Sequence, residues 1–277
     1  MYKKNQLHRP GGVSYLQAVM MCCIMLSFFS EISYSQKTVQ IPATKKYLGI
    51  YINAGLASFR EDLLVPLGFH GPALDLGGVY TYQSQNDHIQ IQLQIGLGYL
   101  KNRYSHEAWV LKPDIRFSWV KKLSDFGRYG TLWGGVCLPH QMVNLFIESW
   151  DDAHLYWLNA YGVGPALRWE KQVSQKNNII FRMEFPLISL VSRPATYRYK
   201  KQEPLNHWTY HFAEPNRSLQ LKNITEYRSL FMQLLFQKEL GHAIVHAGLE
   251  FIYNYCRTPE EIRGYNTSLI ISYQWRI

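Results

Sequence analysis

The segment Trp150-Asp151-Asp152-Ala153-His154 places two carboxylates within a few residues of an imidazole. One carboxylate of such a set can orient the histidine while the ring takes a proton from water. A complete water-activating site needs a second acidic or histidine group brought in from another element. His207 and His211 fall in a stretch, 192–226, that contains no aspartate. No histidine is followed two residues later by serine, so a His-x-Ser pair for attack on an ester is absent too. Asp151, Asp152 and His154 are therefore the only catalytic candidates, and a solvated acidic loop accounts for them more simply. No metal and no cofactor is expected.

A second group of chemistry-bearing residues lies in the same stretch, 192–226. Arg193, Arg198, Lys200, Lys201 and Arg217 are interleaved with Tyr197, Tyr199, Trp208, Tyr210 and Phe212. Cations with aromatics at a membrane rim can grip the phosphates of lipopolysaccharide through charge-assisted hydrogen bonds. The same residue types anchor protein–protein contacts. A long loop folded over a barrel mouth as a lid is the third reading.

What positions these residues follows from composition and patterning. The chain has 277 residues, 29 Lys+Arg against 20 Asp+Glu, and 15% aromatics including 20 Tyr. With only 18% charged residues it is not a disordered chain. Its net charge of +9 comes without a clustered basic helix, so nucleic acid is not an expected partner. Lys3, Lys4 and Arg9 precede an apolar stretch from Leu16 to Phe29 that ends in Ser33-Tyr34-Ser35. That layout is a secretory signal, with 1–35 removed and 36–277 exported. The mature chain keeps two cysteines, Cys137 and Cys256, too few for a disulfide framework.

The segment Asp87–Tyr99 alternates without a break: Ile89, Ile91, Leu93, Ile95, Leu97 and Tyr99 face one way, His88, Gln90, Gln92 and Gln94 the other. Its length suits a tilted membrane-crossing strand of about 9–11 residues. Strands are expected near 46–58, 73–83, 87–99, 108–120, 129–138, 154–169, 178–191, 227–238, 242–256 and 265–276. Ten is an even number, as a closed antiparallel barrel requires. Expected connections alternate between longer ones, about 14, 8, 15, 35 and 8 residues, and shorter ones, about 3, 8, 8 and 3. Trp109 and Trp119, and Trp157 and Trp169, are spaced to form two aromatic girdles about 25–30 Å apart. Pro113, Pro165 and Pro186 fall inside proposed strands and require bulges or strand ends there.

The last strand places Leu269, Ile271, Tyr273, Trp275 and Ile277 at every second position down to the chain end. With the alternation and girdles, this resembles the small outer-membrane β-barrels of Gram-negative bacteria, whose terminal strand is recognised for assembly. The resemblance implies an all-β, closed, up-and-down transmembrane barrel of about ten strands, integral to the outer membrane and in contact with its lipid and lipopolysaccharide. A soluble lipocalin-like barrel would be polar where this exterior is Leu, Phe and Trp. Ten-stranded omptin proteases carry acidic pairs and a histidine at the rim, but their second Asp-x-His element has no counterpart here.

The polar parity of the strands assigns the lumen: Asp114, Arg116, Arg168, Glu170, Arg182, Glu184 and Glu250, joined by Asp75, Lys112, Arg276 and a set of glutamines and histidines. Five positive and five negative charges balance, and Arg168 with Glu170 is expected beside Arg182 with Glu184. Such a set is a salt-bridged plug more readily than a selectivity path, and ten strands is close to the filled end of the barrel range. The expected role is structural or accessory, exercised through the outer loops in a surface or export assembly with another membrane or secreted protein. A narrow solute channel is the alternative, and a rim hydrolase, omptin-like or lipid-directed, the third.

Overall fold

The computed structural model describes residues 44–61, 65–147, 154–193, 219–257 and 261–277. Residues 1–35, the expected signal segment, lie outside them. Twelve strands follow in chain order: β1 (Lys45–Glu61), β2 (Val65–Gln83), β3 (Asp87–Lys101), β4 (Glu107–Asp125), β5 (Thr131–Ile147), β6 (His154–Ser174), β7 (Asn177–Glu184), β8 (Ile188–Ser192), β9 (Gln220–Asn223), β10 (Tyr227–Leu240), β11 (Ala243–Cys256) and β12 (Ile262–Arg276).

Lateral order runs β5-β4-β3-β2-β1-β12-β11-β10-β7-β6, and pairing of β5 with β6 closes the ring. β8 continues β7 along the same neighbour, β6, and β9 pairs with β8 above β10. Twelve segments thus build the ten staves of a closed antiparallel barrel. The start of β1, the end of β12 and the turns Ser84–Asn86, 126–130, 175–176 and 241–242 lie at one end, the turn end. The opposite loop end carries 62–64, Asn102–His106, 148–153, 193–219 and 257–261. The expected length contrast survives mainly in one connection. Elsewhere the strands run on past the membrane into what the sequence suggested were loops, most plainly in β5, which reaches Ile147.

The prolines interrupt the ladder locally. Between β4 and β5 the register skips Lys112 and Pro113, then resumes at Leu111 opposite Asn144. Pro165 and Pro186 meet at one place in the wall, where β7 gives way to β8. There the Phe185 N–H donates to the Pro165 carbonyl at 3.1 Å and the Leu187 N–H to the Val163 carbonyl at 2.9 Å. Bulging at this point shortens neither stave.

Side-chain parity separates two environments. Leu48, Ile50, Ile52, Leu74, Leu76, Leu93, Ile95, Leu97, Leu249, Leu269 and Ile271 form an exposed apolar exterior around the ring. On β4, Trp109 packs against Tyr99 with ring centroids 4.8 Å apart. At the lower edge Trp119 donates its indole N–H to Asp87 at 3.1 Å. Ten residues of a strand tilted near 40° rise about 25 Å, the height of a bilayer's apolar band. Trp169 occupies the lower edge as well, its indole N–H on the Tyr129 carbonyl at 3.0 Å. Trp157 does not mirror it above. Although its parity is outward, it is only 4% exposed and faces Ser192 Oγ at 3.4 Å, so β6 supplies one girdle indole and not two. Cys137 and Cys256 are buried and unbridged.

Candidate functional site

The inward-facing side chains fill the lumen in three layers. Nearest the loop end is an apolar plug: Phe59, Phe69, Leu100, Val110, Leu145, Ile147, Tyr227 and Ile262 are buried against one another. This layer differs from the polar interior expected from the sequence. Both faces of the strand ends are apolar here, so the alternation that marks a polar lumen is lost.

Below the plug lies a charged belt. Along single strands, residues two apart share a face, and the belt uses this three times. Arg116 donates to Asp114 at 2.6 Å, Arg168 to Glu170 at 3.1 Å and Arg182 to Glu184 at 2.9 Å. The register places Arg168 directly opposite Arg182 on the neighbouring strand. Each arginine instead turns to the acid on its own strand. The arrangement then spans the barrel. Arg116 approaches Glu184 at 3.8 Å, and Arg182 donates to Gln233 at 3.0 Å and to Ser118 at 3.4 Å. Glu250 accepts from Gln233 at 2.7 Å and from Asn53 at 2.9 Å. The Phe231 ring lies 4.0 Å from the Arg116 guanidinium carbon and 5.7 Å from that of Arg182. All six of Asp114, Arg116, Arg168, Arg182, Glu184 and Glu250 are buried, Glu170 is partly so, and Arg276 is exposed at the turn end.

Two glycines make the belt possible. Asp75, Gly96 and Lys112 lie in one register row on β2, β3 and β4. The Asp75–Lys112 ion pair, 3.0 Å, passes directly over Gly96. A Cβ there would stand 2.0 Å from the Asp75 carboxylate and 2.8 Å from Lys112 Cε. Likewise Tyr51 reaches over Gly77 to Gln94 at 2.9 Å. Gly96→Val should therefore displace the Asp75–Lys112 pair and cost about 1–3 kcal/mol, the usual range for overpacking. Denaturant unfolding in micelles reads this; a wild-type midpoint would show that the pair does not need the gap.

The third layer, toward the turn end, is a small pocket lined by Gln90, Gln92, Gln233, Gln237, Gln274, His88 and His246, with Arg168 and Arg182 as its ceiling. His246 is satisfied with its proton on Nε2: that nitrogen meets Gln237 Oε1 at 3.0 Å, while Gln274 donates to Nδ1 at 3.4 Å.

Asp151, Asp152 and the side chain of His154 lie outside the described residues, as do Arg198, Lys200, Lys201, Trp208 and Arg217. Of the loop set, Arg193 alone is described, and it is buried at 8% exposure. Among the described residues no group of three or more His, Cys, Asp or Glu is disposed to hold a metal. Sequence reasoning missed the plug residues and Phe231; consecutive apolar residues such as Tyr99-Leu100 and Leu145-Phe146-Ile147 were the available signal.

No family model matches the chain, and no curated protein does. Among solved structures, the outer-membrane protease OmpT from Escherichia coli aligns with a TM-score of 0.52 at 8% identity, over 88% of this chain and 100% of that one. The translocator domain of the autotransporter NalP from Neisseria meningitidis aligns with a TM-score of 0.43 at 10% identity, over 94% and 96%. The chain has the fold of an outer-membrane β-barrel.

Proposed function

We propose that this protein is a closed, non-conducting outer-membrane barrel with a structural or accessory role, acting through its loop end in a surface or export assembly. The observation that supports this reading is the filling of the lumen: an apolar plug and an ion-paired belt lie in series across it. A solute entering from outside would have to displace packed Leu, Ile and Phe and then break buried ion pairs. Neither layer offers a hydrated path. The connection 193–219, rich in Arg, Lys, Tyr and Trp, is the longest element at the loop end and the natural contact surface for a partner. In this reading the turn end faces the periplasm, and export follows cleavage of 1–35.

A pull-down of the tagged protein from native outer membranes in mild detergent tests the proposal. A stoichiometric partner protein that is lost on deleting 195–215 is the expected result. A barrel that purifies alone, with and without that segment, contradicts it.

A further inference from the structure

The charges of the belt do not balance. Among the described residues, four cations, Lys112, Arg116, Arg168 and Arg182, are each matched by one acid, Asp75, Asp114, Glu170 and Glu184 in turn. Glu250 is the acid left over. It is 1% exposed, accepts from the amides of Gln233 and Asn53, and has no ion-pair partner among the described residues. A carboxylate taken out of water and met only by neutral donors keeps much of its desolvation cost.

Oxygen atoms surround Glu250 in a closed ring of neighbours. Asn53 Nδ2 donates to Glu250 Oε1 at 2.9 Å, and Asn53 stands opposite Asp75 in the register of β1 with β2. Asn266 Nδ2 donates to Asp75 Oδ2 at 3.3 Å. Ser268, two residues on from Asn266 and on the same face, stands opposite Glu250 and completes the ring. Both amides thus commit an N–H to a carboxylate. Among the described residues nothing donates to Asn53 Oδ1 or Asn266 Oδ1, and Ser268 Oγ has no partner either. The three residues are 0%, 6% and 3% exposed, so bulk water does not reach these oxygens. Buried acceptors without donors are uncommon and call for a water or an ion. Small residues leave room beside them: Ala57 opposite Asn266, Gly55 opposite Ser268 and Ala73 opposite Gly55. Asp75 is already held by Lys112 at 3.0 Å, so the set as a whole lacks one positive charge.

We propose that Glu250, Asn53, Asn266 and Ser268 bind a monovalent cation of the sodium type. Carboxylate and carbonyl oxygens are the ligands that hard cations take. The missing charge is one, and a divalent ion would leave the belt with an excess positive charge. With two acids and no histidine or cysteine, the set does not suit a transition metal. Access is from the turn end, since Gln233 both donates to Glu250 and lines the small pocket below. The apolar plug closes the other side, so the ion enters and leaves the same way. The site goes beyond the accessory role proposed above and depends on no partner.

The test is urea unfolding of the full-length barrel in micelles at neutral pH, with sodium chloride exchanged for choline chloride at constant ionic strength. Above the dissociation constant, linkage makes the folded-to-unfolded ratio rise about tenfold for each tenfold rise in sodium. Wild type should show that rise. Glu250→Gln removes the charge and should abolish it. Ser268→Ala keeps the charge but removes one ligand, and should raise the sodium required about tenfold. Glu239→Gln, at the turn end where the acid pairs with Lys45, should respond as wild type does. Heat-modifiable migration establishes that each variant is folded. A wild-type barrel indifferent to sodium holds only water at these oxygens, with a proton on Glu250, and overturns the proposal. So does an undiminished sodium response in either folded site variant, or a response to calcium in place of sodium.

Discussion

Truncating Arg116 to methionine should cost about 3–5 kcal/mol of unfolding free energy, the penalty for leaving buried charge without its partner. Arg116 holds Asp114 at 2.6 Å and approaches Glu184 at 3.8 Å, and all three side chains are buried. It also lies against Phe231. Methionine replaces much of the apolar stem but none of the charge. The double variant Asp114→Asn/Arg116→Met removes both members of the closest pair, and Glu184 keeps Arg182. It should therefore recover most of the loss, a coupling that a double-mutant cycle isolates. Urea unfolding in micelles supplies all four values. If the double variant loses the sum of what the two single variants lose, the pair is uncoupled and the belt is not an interdependent network.

Leu100→Asp should be still more damaging and should leave little heat-modifiable, folded barrel. Leu100 is fully buried among Phe69, Ala108, Val110 and Leu145 at the loop end. A carboxylate there has neither water nor a cation, and it must either pay the desolvation cost of several kcal/mol or take up a proton. The conservative Leu100→Ala change should cost about 2–5 kcal/mol and leave the barrel folded. This pair of variants separates two pictures of the outer mouth. A hydrated vestibule would accept aspartate more readily than alanine changes anything; a dry plug rejects it.

The strand count was legible in the sequence because the outward positions must be apolar wherever lipid touches them. Asp87–Tyr99 shows the period of two over its whole length, and β3 runs Asp87–Lys101. The layer structure of the lumen was not legible, for a different reason at each level. In the plug, inward and outward residues are both apolar, so Leu145-Phe146-Ile147 carries no alternation and β5 seemed to stop near 138. In the belt the residues were identified, but their partners depend on register: a shift of two positions would have brought Glu184 opposite Arg168 in place of Arg182. The saddles at Gly77 and Gly96 read in sequence as weak points of a strand. In the barrel each is the gap through which a long side chain reaches the next stave but one. Trp157 had the right spacing for a girdle, yet its surroundings, set by the break between β7 and β8, bury it.

Conductance of the purified wild-type protein across a planar lipid bilayer tests the closed lumen most directly. With an apolar plug above a paired belt, insertion should leave the current at baseline at both polarities. Reproducible ohmic steps from the wild-type barrel would show a water-filled path through those layers and contradict the account.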